Sequence, residues 1–300
     1  MIDGFRIPLG AWVKAFVRWI TDAFGGFFDV VASVFTGLYD GAAWVLTAPP
    51  FWLVILVVAA IAFWAKGWKL ALGTVIGLVL IVGVGQWEKA MQTLALTLVA
   101  AAIAIVIAIP VGIWAARVPA VSTVVRPILD FLQTMPAFVY LIPAIFLFSV
   151  GVVPGIVATI LFAIAPGVRL TELGIRGVDQ EVVEAGNAFG ATPGRILRQI
   201  QLPLAMPSIM AGINQVIMLS LSMVVIASMV GAPGLGKDII QALSRVDIGL
   251  GFEAGLSVVV IAMILDRITG GFGARSRRAR VRRPARTASV PAAEPVGAPA

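Results

Sequence analysis

Few residues in this chain are equipped for covalent chemistry. The 300-residue sequence has no cysteine and no histidine, which excludes disulfides, thiolate nucleophiles, zinc sites with nitrogen or sulfur ligands and any serine–histidine triad. The 15 Asp and Glu are scattered, and none forms the paired constellation inside an apolar run that a glycosidase or aspartic protease needs. No Gly-x-x-x-x-Gly-Lys-Ser/Thr phosphate loop occurs, so the chain carries no nucleotide site of that kind. The densest polar chemistry is a polar island, residues 179–203, DQEVVEAGNAFGATPGRILRQIQLP, set between two long apolar runs. In it Glu184, Ala185 and Gly186 are followed after three residues by Gly190, and after nine more by Ile200, Gln201, Leu202 and Pro203. A carboxylate, a turn glycine and the cations Arg195 and Arg198 on one short segment suit non-covalent docking.

The elements that present these groups follow from local signals. Asp179 is placed to cap a helix with Glu181 in its first turn, and Val182, Val183, Gly186 and Phe189 recur on one face. Gly190 ends that helix. Thr192 and Pro193 start a second one, with Ile196, Leu197 and Ile200 as its apolar face before Pro203. The expectation is a short helical hairpin, and taken alone it reads equally well as an amphipathic connector on lipid headgroups.

What carries the island is a membrane domain. The sequence is 60% hydrophobic and 12% charged, with a mean hydropathy of +1.03, too apolar for an ordinary soluble domain. A spanning helix takes about 20 apolar residues. We read an all-α, polytopic membrane protein with about seven spans: 50–65, 69–86, 91–116, 128–150, 153–168, 204–230 and 252–268. Residues 1–48 carry charges at intervals between Trp12, Phe16, Trp19, Phe27, Phe28 and Phe35. They read as amphipathic interfacial helices and not as a signal peptide or a span. The transmembrane domain is then 49–270, and 271–300 is a basic tail expected to be disordered.

Charge fixes the expected orientation. The net charge of +7 is concentrated in the tail, from Arg275 to Arg286. Positive residues flanking a span stay in the cytoplasm, and this topological reading outweighs nucleic-acid binding, so no nucleic acid partner is expected. With the tail inside and seven spans, 16 of the 22 Lys and Arg fall on the cytoplasmic side, the island included. The N-terminus is then outside and the C-terminus cytoplasmic, in a multi-pass protein of the cell (inner or plasma) membrane.

The island's pattern resembles the cytoplasmic coupling loop of ATP-binding-cassette (ABC) importer permeases, with Gly186 where alanine is usual. The resemblance extends from about Trp12 to Ile268. It is closest to the binding-protein-dependent, type I permeases for glycine betaine, proline betaine and related quaternary amines. Its carriers are LQTMPAFVYLIP (132–143), QLPLAMPSIMAGINQVIMLSLSMVVIASMVGA (201–232) and GLGKDI (234–239). It implies a type I permease core whose island inserts into a groove on a separate ATPase subunit. In that scheme Glu184, Ala185, Gly186, Gly190, Arg195, Arg198, Ile200, Leu202 and Pro203 form the coupling loop. ATP and magnesium reside on that partner, so the chain is no enzyme and holds no cofactor or metal of its own. Two copies form a homodimer, and an extracytoplasmic binding protein docks on outer loops such as 231–251, selecting substrate by cation–π contacts.

A zwitterionic cargo needs a weakly binding, watered path. Gln133, Thr134, Asn214, Gln215, Ser220 and Ser222 are the candidates to line it, with Met135, Met218 and Met223 as adaptable apolar gates. Each polar member has the alternative of bonding across helices. Two other readings compete: a permease for another small solute, and an ion-coupled secondary transporter, for which no inverted repeat is evident.

Overall fold

The computed structural model describes residues 8–281, all of whose regular structure is helical. The order is α1 (Leu9–Thr47), α2 (Phe51–Lys66), α3 (Trp68–Gly83), α4 (Trp87–Arg117), α5 (Pro119–Thr134), α6 (Ala137–Phe148) and α7 (Val152–Arg176). There follow α8 (Gln180–Ala188), α9 (Pro193–Ile196), a π turn (Leu197–Gln201), α10 (Leu202–Ser222), α11 (Val224–Ser228), α12 (Leu235–Arg245) and α13 (Ile248–Val281).

The bundle is organised by close approach of α4, α7 and α10. In a bilayer lipid is as apolar as leucine, so small residues that let backbones approach give helices their contact. Ala100, Ala104 and Ala108 recur every fourth residue of α4 and are fully buried. A methyl at Gly167 of α7 would lie 2.8 Å from the Ala108 methyl and 3.0 Å from Val216 of α10, so only hydrogen fits. Next to Gly112, near the C-terminal end of α4, stands Thr171 of α7. Gly174 of α7 meets Ser208 of α10, whereas Gly155 meets Ala227. Thus α4 and α7 run parallel, α10 runs antiparallel to them, and the island leaves the bundle at the C-terminal ends of α4 and α7.

Among the described residues five helical segments are long and apolar enough to cross a membrane, 10–47, 87–117, 152–176, 193–222 and 248–272, and a sixth span arises if α5 and α6 count as one. The expected span 128–150 is in fact that pair, bent by 101°. The cause is Pro136, which forces Met135 into extended backbone (φ −71°, ψ 136°). The expected spans 50–65 and 69–86 are α2 and α3, of 16 residues each, about 24 Å at the helical rise. They are joined through Gly67 alone. The expected span 153–168 runs two turns further, to Arg176, because the charges that seemed to end it are paired, as shown below.

Residues 9–47 form one helix kinked at Phe24 (φ −121°, ψ 20°), where separate interfacial helices were expected. Lys14, Arg18 and Asp22 precede the kink, and the apolar remainder has the length and composition of a span. Its contacts nevertheless lie at the end opposite the island. Phe28 stacks edge-on against Phe148 at the end of α6, while Val45 and Leu46 share a cavity with Met91 and Leu94 of the first turns of α4. At the other terminus α13 continues to Val281, into the segment 271–300 expected to be disordered. Alanine and arginine, both good helix formers, dominate there. Residues 1–7 and the rest of that tail, 282–300, lie outside the described residues.

Candidate functional site

The island folds as an outward-facing knuckle. Asp179 caps α8, its carboxylate accepting from the Glu181 amide at 3.0 Å. At the other end Gly190 adopts φ +74°, and the Ala191 amide donates to the Gly186 carbonyl at 3.1 Å while the Gly190 amide donates to Asn187 at 2.9 Å. This paired closure is a Schellman turn, which needs a residue at positive φ and so favours glycine. Gly186 meets the second arm, since a methyl there would sit 2.8 Å from the Ile200 Cδ1.

The second arm departs from the expected hairpin. It does not end before Pro203, because α9 passes through the π turn directly into α10. The Leu202 amide reaches back to the Leu197 carbonyl, the wide i→i−5 pattern. That widening absorbs Pro203, which lacks an amide and would clash in a regular helix interior. The island is therefore joined rigidly to α10 and by only three residues to α7.

α8 has no buried residue. Glu184 and Ala185 are exposed, as are Gly190, Arg195, Arg198 and Pro203, whereas Gly186, Ile200 and Leu202 are half-buried. Glu184 lines a cavity of about 480 Å³ with Ile175, Arg176, Val178, Gln180, Val183 and Gln201. Phe189, read on one helical face with Val182, Val183 and Gly186, is 92% exposed. It stands just before the αL glycine and leaves an apolar ring in solvent.

Behind the island lies a frame that the sequence reading missed. The buried Glu172 carboxylate of α7 takes a hydrogen bond from Ser122 at 2.7 Å and ion pairs with Arg126 at 2.9 Å and Arg176 at 3.1 Å. Arg176 also donates to the Ala115 carbonyl of α4 at 2.9 Å, and Arg169 pairs with Asp130. A buried carboxylate is tolerated only when paired and hydrogen-bonded. Three helices are thereby tied together two turns before α8. The one clue available in sequence was the Glu172–Arg176 spacing of four on a helix.

The path candidates are dispersed. Gln133, Thr134, Gln215 and Ser222 are exposed, and Met218 is half-buried. Asn214 faces α13, donating to Asp266 at 3.1 Å and accepting from Thr269. The buried Ser220 hydroxyl bonds the Val216 carbonyl at 2.8 Å. Met135 and Met223, by contrast, meet in one apolar cluster with Tyr140, Leu141, Ala158 and Val230. Among the described residues no group of three His, Cys, Asp or Glu is placed to hold a metal ion.

At the far end the GLGKDI segment turns inward. Asp238 of α12 is buried and accepts from Gln86 at 3.1 Å and from Lys89 at 2.5 Å. The Leu235 amide donates to the Thr93 hydroxyl at 2.8 Å, fastening α12 to the start of α4.

Comparison with known proteins gives this geometry its context. Residues 108–278 match the family model for the binding-protein-dependent transport system inner membrane component. The glycine betaine transport system permease protein OpuAB of Bacillus subtilis is 50% identical over 264 residues, covering 88% of this chain and 94% of that one. The glycine betaine/proline betaine transport system permease protein ProW of Escherichia coli is 44% identical over 280 residues, covering 92% and 79%. Among solved structures, the inward-facing MetNI methionine ABC transporter aligns with a TM-score of 0.54 at 25% identity, over 65% of this chain and 95% of that chain. The chain is therefore a member of the inner-membrane permease family of binding-protein-dependent transport systems.

Proposed function

We propose that this chain is the permease subunit of an ATP-driven importer for glycine betaine, proline betaine or a related quaternary amine. The observation that carries the reading is the 50% identity to the Bacillus subtilis glycine betaine permease across nearly its whole length. The island's geometry supports its mechanism. In this reading Glu184 and Phe189 engage a separate ATPase subunit that binds ATP and magnesium, with Arg195 and Arg198 as rim charges. The rigid passage from α9 into α10 then carries a displacement of the island to the spans, and the Glu172 frame makes α4, α5 and α7 move with it. The chain contributes no hydrolysis of its own.

Two copies would enclose the path between them, which accounts for the exposure of Gln133, Thr134, Gln215 and Ser222 on a single chain. Met135 and Met223 form an adaptable apolar constriction. The membrane domain is 49–270, with the tail in the cytoplasm, the N-terminal segment outside and the binding protein on residues 231–251. The test is co-purification with the cognate ATPase and reconstitution with the cognate binding protein. Stimulation of ATP hydrolysis by the betaine-loaded binding protein is expected. Absence of any stable ATPase partner would overturn the reading.

A further inference from the structure

The flank of the bundle between α3 and α13 carries a recess. A groove of about 470 Å³ is walled by Leu70, Gly73, Gly77, Val260, Met263 and Ile264, with Lys66, Lys69 and Arg267 also lining it. Three cations therefore gather on one apolar groove. Among the described residues no carboxylate lines it, and none of the three makes an ion pair. Clustered like charges repel unless an anion joins them.

Two further observations fix the kind of anion. Thr74, also in the lining, is 1% exposed and its hydroxyl has no hydrogen-bond partner, so the groove floor offers a donor to an ester oxygen. Trp64 and Trp68, at the same turn, are 66% and 63% exposed, as tryptophans at the headgroup level of a bilayer are. A free phosphate would use the cations and leave the apolar walls empty.

We propose that this groove holds one anionic phospholipid, its phosphate between Lys66, Lys69 and Arg267 and an acyl chain along Gly73, Gly77 and Met263. The site is independent of the cargo. If the tail is cytoplasmic, the headgroup lies in the cytoplasmic leaflet, where anionic lipid is enriched.

Native mass spectrometry of the purified full chain, titrated with phosphatidylglycerol or phosphatidylcholine, tests this. One phosphatidylglycerol per chain is expected to be retained in preference to phosphatidylcholine. Each cation is worth roughly fivefold near an anionic surface, so K66Q/K69Q/R267Q is expected to weaken retention on the order of a hundredfold. The charge-matched K14Q/R18Q/R245Q variant should behave as the unsubstituted chain does. Gly73 has open space at its Cβ position, so Gly73→Leu fills the groove with all cations in place and should also abolish retention. Equal retention of the two lipids, or insensitivity to both groove variants, would overturn the proposal. So would displacement of the lipid by inorganic phosphate, which would reassign the site to a free anion.

Discussion

The island at 179–203 and the segment at 231–251 are both polar interruptions of an apolar sequence, and both carry a positive-φ glycine beside a short helix. Their fates differ. In the island α8 buries nothing and leaves Glu184 and Phe189 in solvent. At 231–251 Leu235, Gly236 and Asp238 are buried, with Asp238 holding Gln86 and Lys89. A distinctive spacing thus marks a constrained segment without saying what constrains it. Where a segment's polar groups are satisfied inside the chain, the constraint is the fold. Where they are left in solvent, as at Glu184, they are free to meet a partner.

This contrast can be broken by substitution, beginning with the largest effect. A methyl at Gly236 would lie 2.6 Å from the Val224 carbonyl oxygen and 2.9 Å from the Val225 Cα, backbone atoms that cannot turn aside. Gly236→Ala should cost about 3 kcal/mol, read as a lowered melting temperature in detergent. An unchanged melting temperature would mean that the 231–251 segment is as loose as the island. Glu184→Lys should show the opposite signature, with folding unchanged and affinity for the ATPase lowered about tenfold through like-charge or lost-charge contacts. Phe189→Ala should weaken the same binding by about 1 kcal/mol, as an exposed aromatic anchor would. A fall in melting temperature instead of binding would assign Phe189 to the fold.

The smallest effect is the sharpest counterpart to Gly236. At Gly186 the obstacle is the tip of Ile200, which can rotate. The helix-propensity gain of alanine, about 1 kcal/mol, should then roughly offset the displacement, leaving melting within about 0.5 kcal/mol of the starting value. A large loss would show that the α8–α9 contact is as tightly packed as the 231–251 segment.

Much of the island was legible. The Asp179 cap and the Gly190 turn follow from residue types whose local chemistry is nearly self-sufficient. The π turn was not, because Pro203 reads as a stop and nothing in sequence announces an i→i−5 pattern. The Glu172 frame was hidden because Ser122, Arg126, Glu172 and Arg176 are spread over more than fifty positions, and pairing at that range depends on how α4, α5 and α7 pack. The break in 128–150 had a visible cause in Pro136, yet local hydrophobicity continues across it. For the path, side-chain polarity alone could not separate Asn214, committed to Asp266 and Thr269 on α13, from Gln215, one residue on and exposed.

On the proposed reading, ATP hydrolysis on a partner, acting through the island, drives transport through this chain. The direct measurement is uptake of labelled glycine betaine into vesicles containing the permease and its ATPase, with binding protein outside, compared with and without internal ATP and repeated with Glu184→Lys. Uptake that requires internal ATP, survives collapse of ion gradients and is lost in the variant is predicted. Uptake without ATP, driven by a proton or sodium gradient and indifferent to Glu184, would contradict it.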